Sequence, residues 1–216
     1  MPARERAHRD ERRRSLGQNF LRPELAARIV AECGFRPGEQ VVEIGPGAGA
    51  LTFALARLSL EVTAVELDRE WAARLRERAR RERANNVRVL NADFATMRLP
   101  VTPFRAIGSL PFARTTDFLR KLFDDPGSAL ARADLIVQWE VARKRAAAPP
   151  ATLLSTQWAP WWDFRLGRRI AASEFHPVPR VDAALLVAKR REPALLPREM
   201  TQAYAEFVRK RWPFKR

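Results

Sequence analysis

The chain has 216 residues, 46% of them apolar, which is enough to bury one large domain with a small appendage. Forty Lys and Arg against 25 Asp and Glu leave a net charge of +15, a field that draws polyanions such as nucleic acid or an anionic membrane surface. Cys33 is the only cysteine, which excludes an intrachain disulfide, and one Cys with two His excludes a thiolate or imidazole metal cluster. The apolar runs are too short to span a bilayer and the N-terminus lacks a signal-peptide core, so a soluble cytoplasmic protein is expected. Arginine dominates the basic set, which favours phosphate forks and base stacking over simple point charge.

Residues 1–14 hold Arg4, Arg6, Arg9, Arg12, Arg13 and Arg14 with almost no apolar side chains, and read as a basic tail able to grip RNA or simply be solvated. Leu25, Ala26, Ile29 and Val30 recur at helical spacing between Pro23 and Cys33, and Gly34 closes that helix. Strands and helices then alternate: strands at 41–44, 62–67, 87–90, 104–107 and 135–141, with helices at 50–57, 69–83 and through Phe118 and Leu122. In the arginine-rich helix at 69–83, Glu70 and Glu77 precede Arg74 and Arg81 by four residues, so intrahelical pairing is expected. Strands at 164–170 and 183–188, with no helix between them, predict an antiparallel pair closing one sheet edge. Residues 193–216 carry one further helical pattern with Tyr204, Phe207 and Val208 on one side. This alternation predicts an α/β fold with a mostly parallel sheet covered by helices on both faces.

In such a sheet, ligands sit beyond the carboxyl ends of the strands, and four segments lie there. The turn Gly45-Pro46-Gly47-Ala48-Gly49 follows the first strand and Glu66-Leu67 ends the second. Asp93-Phe94 follows the third and Ser109-Leu110-Pro111-Phe112 the fourth. The glycine spacing is not the Gly-x-Gly-x-x-Gly of a dinucleotide site, and Glu43 before the first glycine would repel a pyrophosphate. An acid there suits a ligand bearing an ammonium and a sulfonium, so S-adenosylmethionine is expected rather than NAD. Glu66 can take the ribose hydroxyls, and Asp93 the adenine amine beside the Phe94 N–H.

Ser109-Leu110-Pro111-Phe112 resembles the (Asp/Asn/Ser)-x-Pro-(Tyr/Phe) signature of methyltransferases acting on exocyclic amines. An adenine amine is a poor nucleophile because its lone pair is delocalised into the ring. A side-chain oxygen and a main-chain carbonyl can accept its hydrogens, and an aromatic face can hold the extruded base. Transfer then needs alignment more than acid–base help.

Five separated motifs, in order, carry a family resemblance: Ser15 to Leu21 (Ser-Leu-Gly-Gln-Asn-Phe-Leu), the Glu43–Gly49 loop, Asn91-Ala92-Asp93, Ser109–Phe112, and Phe175-His176-Pro177-Val178-Pro179-Arg180-Val181. Over about residues 15–192 the chain resembles rRNA adenine N6-methyltransferases. These comprise the Erm macrolide-resistance enzymes and the small-subunit rRNA adenine dimethyltransferases. The resemblance implies a Rossmann-like S-adenosylmethionine-dependent domain on a seven-stranded, mostly parallel sheet at 15–192, and the start of a helical RNA-binding domain at 193–216. It implies that Gln18, Asn19 and Gly45 hold the methionine end of the cofactor, Glu66 the ribose, and Asp93 and Phe94 the adenine, with Leu21, Gly47, Leu67 and Ser109 also binding the cofactor. Ser109, Leu110 and Phe112 would hold the target adenine, with Pro111 part of the same catalytic turn. Phe175 and its prolines would help shape the target pocket, and Arg143 and Lys144 would bind the substrate. Ser109 stands where the family usually has Asn, and residues after 192 leave room for about one helix where it usually has several.

The stretch Leu153–Ile170, with Trp158, Trp161, Trp162 and Asp163-Phe164-Arg165, is similar to arginine-rich Erm enzymes of actinobacterial type. This implies N6 methylation of an adenine in 23S rRNA, with macrolide, lincosamide and streptogramin B resistance, by a monomer that needs neither metal nor membrane. The alternatives are the same reaction on small-subunit rRNA during ribosome maturation, or a non-catalytic RNA-binding factor of the same fold, which Ser109 keeps open. An NAD-dependent enzyme is disfavoured by the glycine spacing.

Overall fold

The computed structural model of the protein describes residues 19–58 and 60–212. The basic tail at 1–14 and Gln18 lie outside them. The elements run β1 (Phe20–Leu21), α1 (Pro23–Glu32), β2 (Gln40–Ile44), α2 (Ala50–Ala56), β3 (Glu61–Glu66), α3 (Arg69–Arg81), β4 (Val87–Asn91) and β5 (Phe104–Ser109). They continue with α4 (Thr115–Phe123), β6 (Leu130–Gln138), α5 (Trp139–Arg145), α6 (Leu153–Trp158), β7 (Trp162–Ile170), β8 (Phe175–His176), β9 (Ala183–Arg190) and α7 (Thr201–Arg211).

Seven strands form one sheet in the order β4-β3-β2-β5-β6-β9-β7. The pairs from β4 to β6 are parallel, and β9 runs antiparallel to both β6 and β7. The expected antiparallel pair therefore closes the edge of a mostly parallel, Rossmann-like sheet. Alternation along the strands buries both faces. Val41, Ile107, Ile136 and Leu185 pack on one side with Leu25 and Ile29 of α1. Val42, Ala106, Leu135 and Leu186 pack on the other with Phe118, Leu119 and Leu122 of α4. Burial on both faces is what a parallel sheet requires, and it explains why these strands read as nearly continuous apolar runs.

The sheet order reverses between β2 and β5, from which the chain proceeds outward in opposite directions. The ends of these strands, Ile44 and Ser109, therefore open a crevice at the switch point where α/β sheets place their ligands. α3 starts on Asp68, whose carboxylate accepts from the Glu70 and Trp71 amides at 2.8 and 3.2 Å, a side-chain N-cap. It buries Ala72, Leu75 and Ala79. On its solvent side Arg74 lies 4.0 Å from Glu70 as expected, and Arg78 reaches Glu82 at 2.6 Å.

β1, α6 and β8 have no counterpart in the sequence reading, and β6, α5 and α7 depart from it. β6 begins at Leu130 rather than Leu135, because its two charged residues satisfy each other inside the sheet. Asp134, fully buried, accepts from Arg132 at 2.6 Å and from Arg105 of β5 at 2.9 Å. Arg105 also donates to the carbonyls of Cys33 and Gly34, closing the C-terminal end of α1, and stacks over Phe35. Trp139–Arg145 is then a helix, not a continuation of the strand, with Ala142 facing the body. In α7, Tyr204 and Val208 lie four residues apart and face the body, whereas Phe207 is exposed beneath the Arg211 guanidinium. Trp158, Trp161 and Trp162 are core residues. Phe123 sits within 5.5 Å of the Trp158, Trp162 and Phe164 rings, and Trp158 donates to Asp124 at 2.7 Å.

Among the described residues, no helix is long and apolar enough to cross a membrane. Removing one partner of a buried pair strands the other charge, so Asp134→Ala is expected to cost about 3–5 kcal/mol in denaturant unfolding. Glu39→Gln, which removes the more exposed contact of Arg105 at 3.2 Å, is expected to cost under about 1 kcal/mol. Equal losses in the two variants would show that the pair is not the buried anchor described here.

Candidate functional site

The crevice at the switch point is lined by Asn19, Leu21, Gly45, Gly47, Glu66, Leu67, Asp93, Phe94, the turn Ser109 to Phe112, and Phe175. Residues drawn from five separated motifs thus meet in one cavity. Arg143 and Lys144 do not line it. They lie exposed on α5, where Arg143 donates to Glu140 at 2.8 Å.

The glycine turn has two jobs. A Cβ on Gly47 would stand 2.7 Å from the Phe20 ring, so this glycine lets β1 lie across the turn. A Cβ on Gly49 would meet Leu75 at 2.6 Å and Phe53 at 2.7 Å, so the third glycine serves the approach of α2 to α3 rather than a ligand. Both also have positive φ, 51° and 85°, where a side chain is strained.

Glu66 is almost fully buried at the end of β3. One carboxylate oxygen accepts from the Gly47 amide and the other from the Asp68 amide, each at 2.9 Å. Burial raises its pKa, and these backbone donors oppose that shift. Each oxygen keeps a second lone pair for a ribose hydroxyl. Glu43 behaves differently. The Thr52 hydroxyl donates to it at 2.6 Å, and burial pushes its carboxyl up to about 8. The anion expected there from the sequence is a mostly protonated acid at neutral pH, ready to ionise when a cation arrives.

Asp93 accepts from the Ala95 amide at 2.9 Å and from Arg114 at 3.2 and 3.3 Å. The Phe94 side chain packs edge-on against Phe118 at 5.6 Å, so only its backbone can face a ligand. The Leu110 side chain is likewise in the core, and its amide donates to the Ile136 carbonyl at 2.9 Å. Phe112 is half-buried and opens a short 3-10 turn, Phe112–Arg114. The Thr115 hydroxyl donates to the Pro111 carbonyl at 3.1 Å, closing that turn.

β1 and β8 pair as a two-stranded strap, Phe20 opposite His176 and Leu21 opposite Phe175. The Phe20 ring lies 4.7 Å from Trp71. The strap joins the Asn19–Leu21 and Phe175 motifs into one wall, a pairing that no local sequence pattern signals. Thr52 and Arg114 also escaped the sequence reading. The hydroxyl facing back across the turn to Glu43 has a faint signal in helical spacing, and Arg114 has only its position directly after the Phe112 turn.

Among the described residues, four acids line the cavity, Glu43, Glu66, Asp68 and Asp93, against one base, Arg114, in a chain of net charge +15. That lining disfavours a pyrophosphate and suits a cationic ligand. With acceptors at Glu66 and Asp93 at successive strand ends, the residues present fit S-adenosylmethionine. Among the described residues, no group of three or more His, Cys, Asp or Glu could hold a metal ion.

Two measurements follow from the acids. Glu43 binds a proton more tightly folded than unfolded, where its value is 4.5, so its stabilising contribution is complete below about pH 4.5 and is lost as pH rises to about 8. Thermal melts between pH 5 and 8 are therefore expected to fall less steeply for Glu43→Gln than for the wild type. Identical pH slopes would remove Glu43 as the titrating group. Glu66→Ala is expected to weaken S-adenosylhomocysteine binding by about 1.5–3 kcal/mol in calorimetric titration. An unchanged affinity in a folded variant would take Glu66 out of the ligand site.

The chain matches the profile of the family described as ribosomal RNA adenine dimethylase over residues 9–216. It is 39% identical over 192 residues to an rRNA adenine N-6-methyltransferase of Corynebacterium diphtheriae, covering 89% of this chain and 74% of that protein. It is 37% identical over 198 residues to the mycinamicin-resistance protein MyrB of Micromonospora griseorubida, covering 91% of this chain and 62% of that one. Among solved structures, the 23S rRNA methyltransferase ErmE superposes with a TM-score of 0.79 at 33% identity, covering 88% of this chain and 78% of ErmE. The chain belongs to the ribosomal RNA adenine dimethylase family, as an Erm-type rRNA adenine N6-methyltransferase with S-adenosylmethionine as its cofactor.

Proposed function

We propose that the protein methylates the exocyclic N6 of one adenine in 23S (large-subunit) rRNA, and that the consequence is resistance to macrolide, lincosamide and streptogramin B antibiotics. The observation that carries this reading is the meeting of Glu66, Asp93, the Ser109–Phe112 turn and Phe175 in one acid-lined crevice. Kinship with a mycinamicin-resistance protein and with a 23S rRNA methyltransferase supports the choice of RNA.

In this reading Asn19, Leu21, Gly45 and Gly47 hold the methionine end of the cofactor, Glu66 and Leu67 the ribose, and Asp93 with the Phe94 amide the adenine. When bound, the cofactor supplies an electrophilic methyl group on sulfur. The rest falls to the chain's own side chains and carbonyls. Phe112 stacks on the extruded target base. The Ser109 hydroxyl and the Leu110 carbonyl accept the two N6 hydrogens, turning the amine lone pair out of the ring and toward the methyl group. Pro111 removes a competing backbone donor and stiffens the turn. Phe175, from the strap, closes the pocket against water, while Arg143 and Lys144 on α5 take RNA phosphates outside it.

Incubation with methyl-labelled cofactor and protein-free large- or small-subunit rRNA, followed by mapping of reverse-transcriptase stops, tests the proposal. Label is expected on the large-subunit RNA at one adenine; label on the small-subunit RNA alone would overturn the target. Phe112→Ala is expected to lose about 1–3 kcal/mol of base stacking and most of the methylation while keeping cofactor affinity, and Phe112→Tyr to be nearly neutral. Normal methylation by Phe112→Ala would mean that the base binds elsewhere. RNA affinity is expected to fall log-linearly with salt, with a shallower slope in Arg143→Ala/Lys144→Ala if those residues touch phosphate.

A further inference from the structure

Among the described residues, Arg114 is the one cationic side chain lining the cavity. It ends the short turn that begins with Phe112, and its own amide donates to the Pro111 carbonyl at 3.0 Å. Its guanidinium stands 3.2 and 3.3 Å from the two Asp93 oxygens, 3.9 Å from Asp117 and 5.1 Å from the Phe118 ring centre. Phe118 in turn packs edge-on against Phe94. One side chain and one turn thus connect Asp93 to the backbone that carries Phe112.

We propose that Arg114 is a positioning residue that couples the adenine subsite of the cofactor to the turn that receives the target base. The proposal rests on the reading of Asp93 as the adenine acid and of Ser109–Phe112 as the target turn. In the protein alone, the Arg114 and Asp93 side chains are each about one-third exposed, at 35% and 30%, and such a pair is weak in water. An adenine seated on Asp93 covers the pair and lowers the dielectric around it, which strengthens the attraction and holds the Phe112 turn in one arrangement. The target base then meets a preformed stacking face. By linkage, RNA must tighten cofactor binding by the same factor as cofactor tightens RNA binding.

The test measures S-adenosylhomocysteine affinity by calorimetry, with and without a saturating amount of the rRNA that accepts label in the assay above. In the wild type, RNA is expected to tighten the ligand by about 5- to 20-fold, within the usual range of such couplings. Arg114→Leu, which keeps an apolar contact with Phe118, is expected to reduce that factor below about 2-fold, and Arg114→Lys to restore part of it. If Arg114→Leu does not fold, Arg114→Gln carries the same comparison. A wild-type coupling factor retained without the guanidinium, or no coupling in the wild type, would overturn the proposal. Asp93→Ala, which removes the acceptor, separates the two readings. Unchanged ligand affinity there means that the adenine assignment has failed. Weakened affinity there, with coupling intact in Arg114→Leu, rejects the role of Arg114 alone.

Discussion

The buried carboxylate of Glu66 organises the site. It closes β3 and accepts from two amides, Gly47 in the turn after β2 and Asp68 at the start of α3. Two loops from neighbouring parallel strands are thereby tied to one side chain. Without that tie, the Gly47 amide, at a turn residue with positive φ, would face a cavity with no acceptor. In the proposed reading the same carboxylate takes the ribose, which joins a structural and a binding role in one side chain. An acid is required because only an ionised carboxylate can accept from both amides and still receive two hydroxyls.

Charge is partitioned sharply. In a chain of net charge +15, the described residues place four acids against one base around the cavity. The two fields attract different partners: the outer surface draws a polyanion, and the crevice draws a cationic small molecule. Desolvation sharpens this inside, where burial raises the pKa of both Glu43 and Glu66. An incoming cation favours the ionised form of Glu43, so that acid gains charge as the ligand neutralises it.

Most of the sheet was legible in the sequence because parallel strands buried on both faces leave continuous apolar runs, and turns such as Gly45–Gly49 punctuate them. β6 was the exception. Arg132 and Asp134 look like loop residues until Arg105, on the neighbouring strand, supplies the partner that makes their burial tolerable. The acids at strand ends were legible for a topological reason, since any residue just past β2, β3, β4 or β5 must face the same edge of the sheet. What those acids touch was not. The Thr52 bond to Glu43 and the Arg114 bond to Asp93 depend on helix phase and on a turn of three residues, below what periodicity resolves. The exposed Phe207 is a similar case, because one step of helical phase decides whether a side chain faces the body or solvent.

The strap shows why the site uses both ends of the domain. Leu21 and Phe175 are paired on β1 and β8, and the Phe20 ring occupies the space that a side chain on Gly47 would need. Closing so long a loop adds little entropic cost over closing a short one, because that cost grows only with the logarithm of length. The return is a single wall beside the glycine turn, with Leu21 and Phe175 in one buried cluster against which Phe112 packs. A fragment ending before Phe175 would keep Glu66 and Asp93 but lose that part of the wall, so in the proposed reading the cofactor and base subsites share one strand pair.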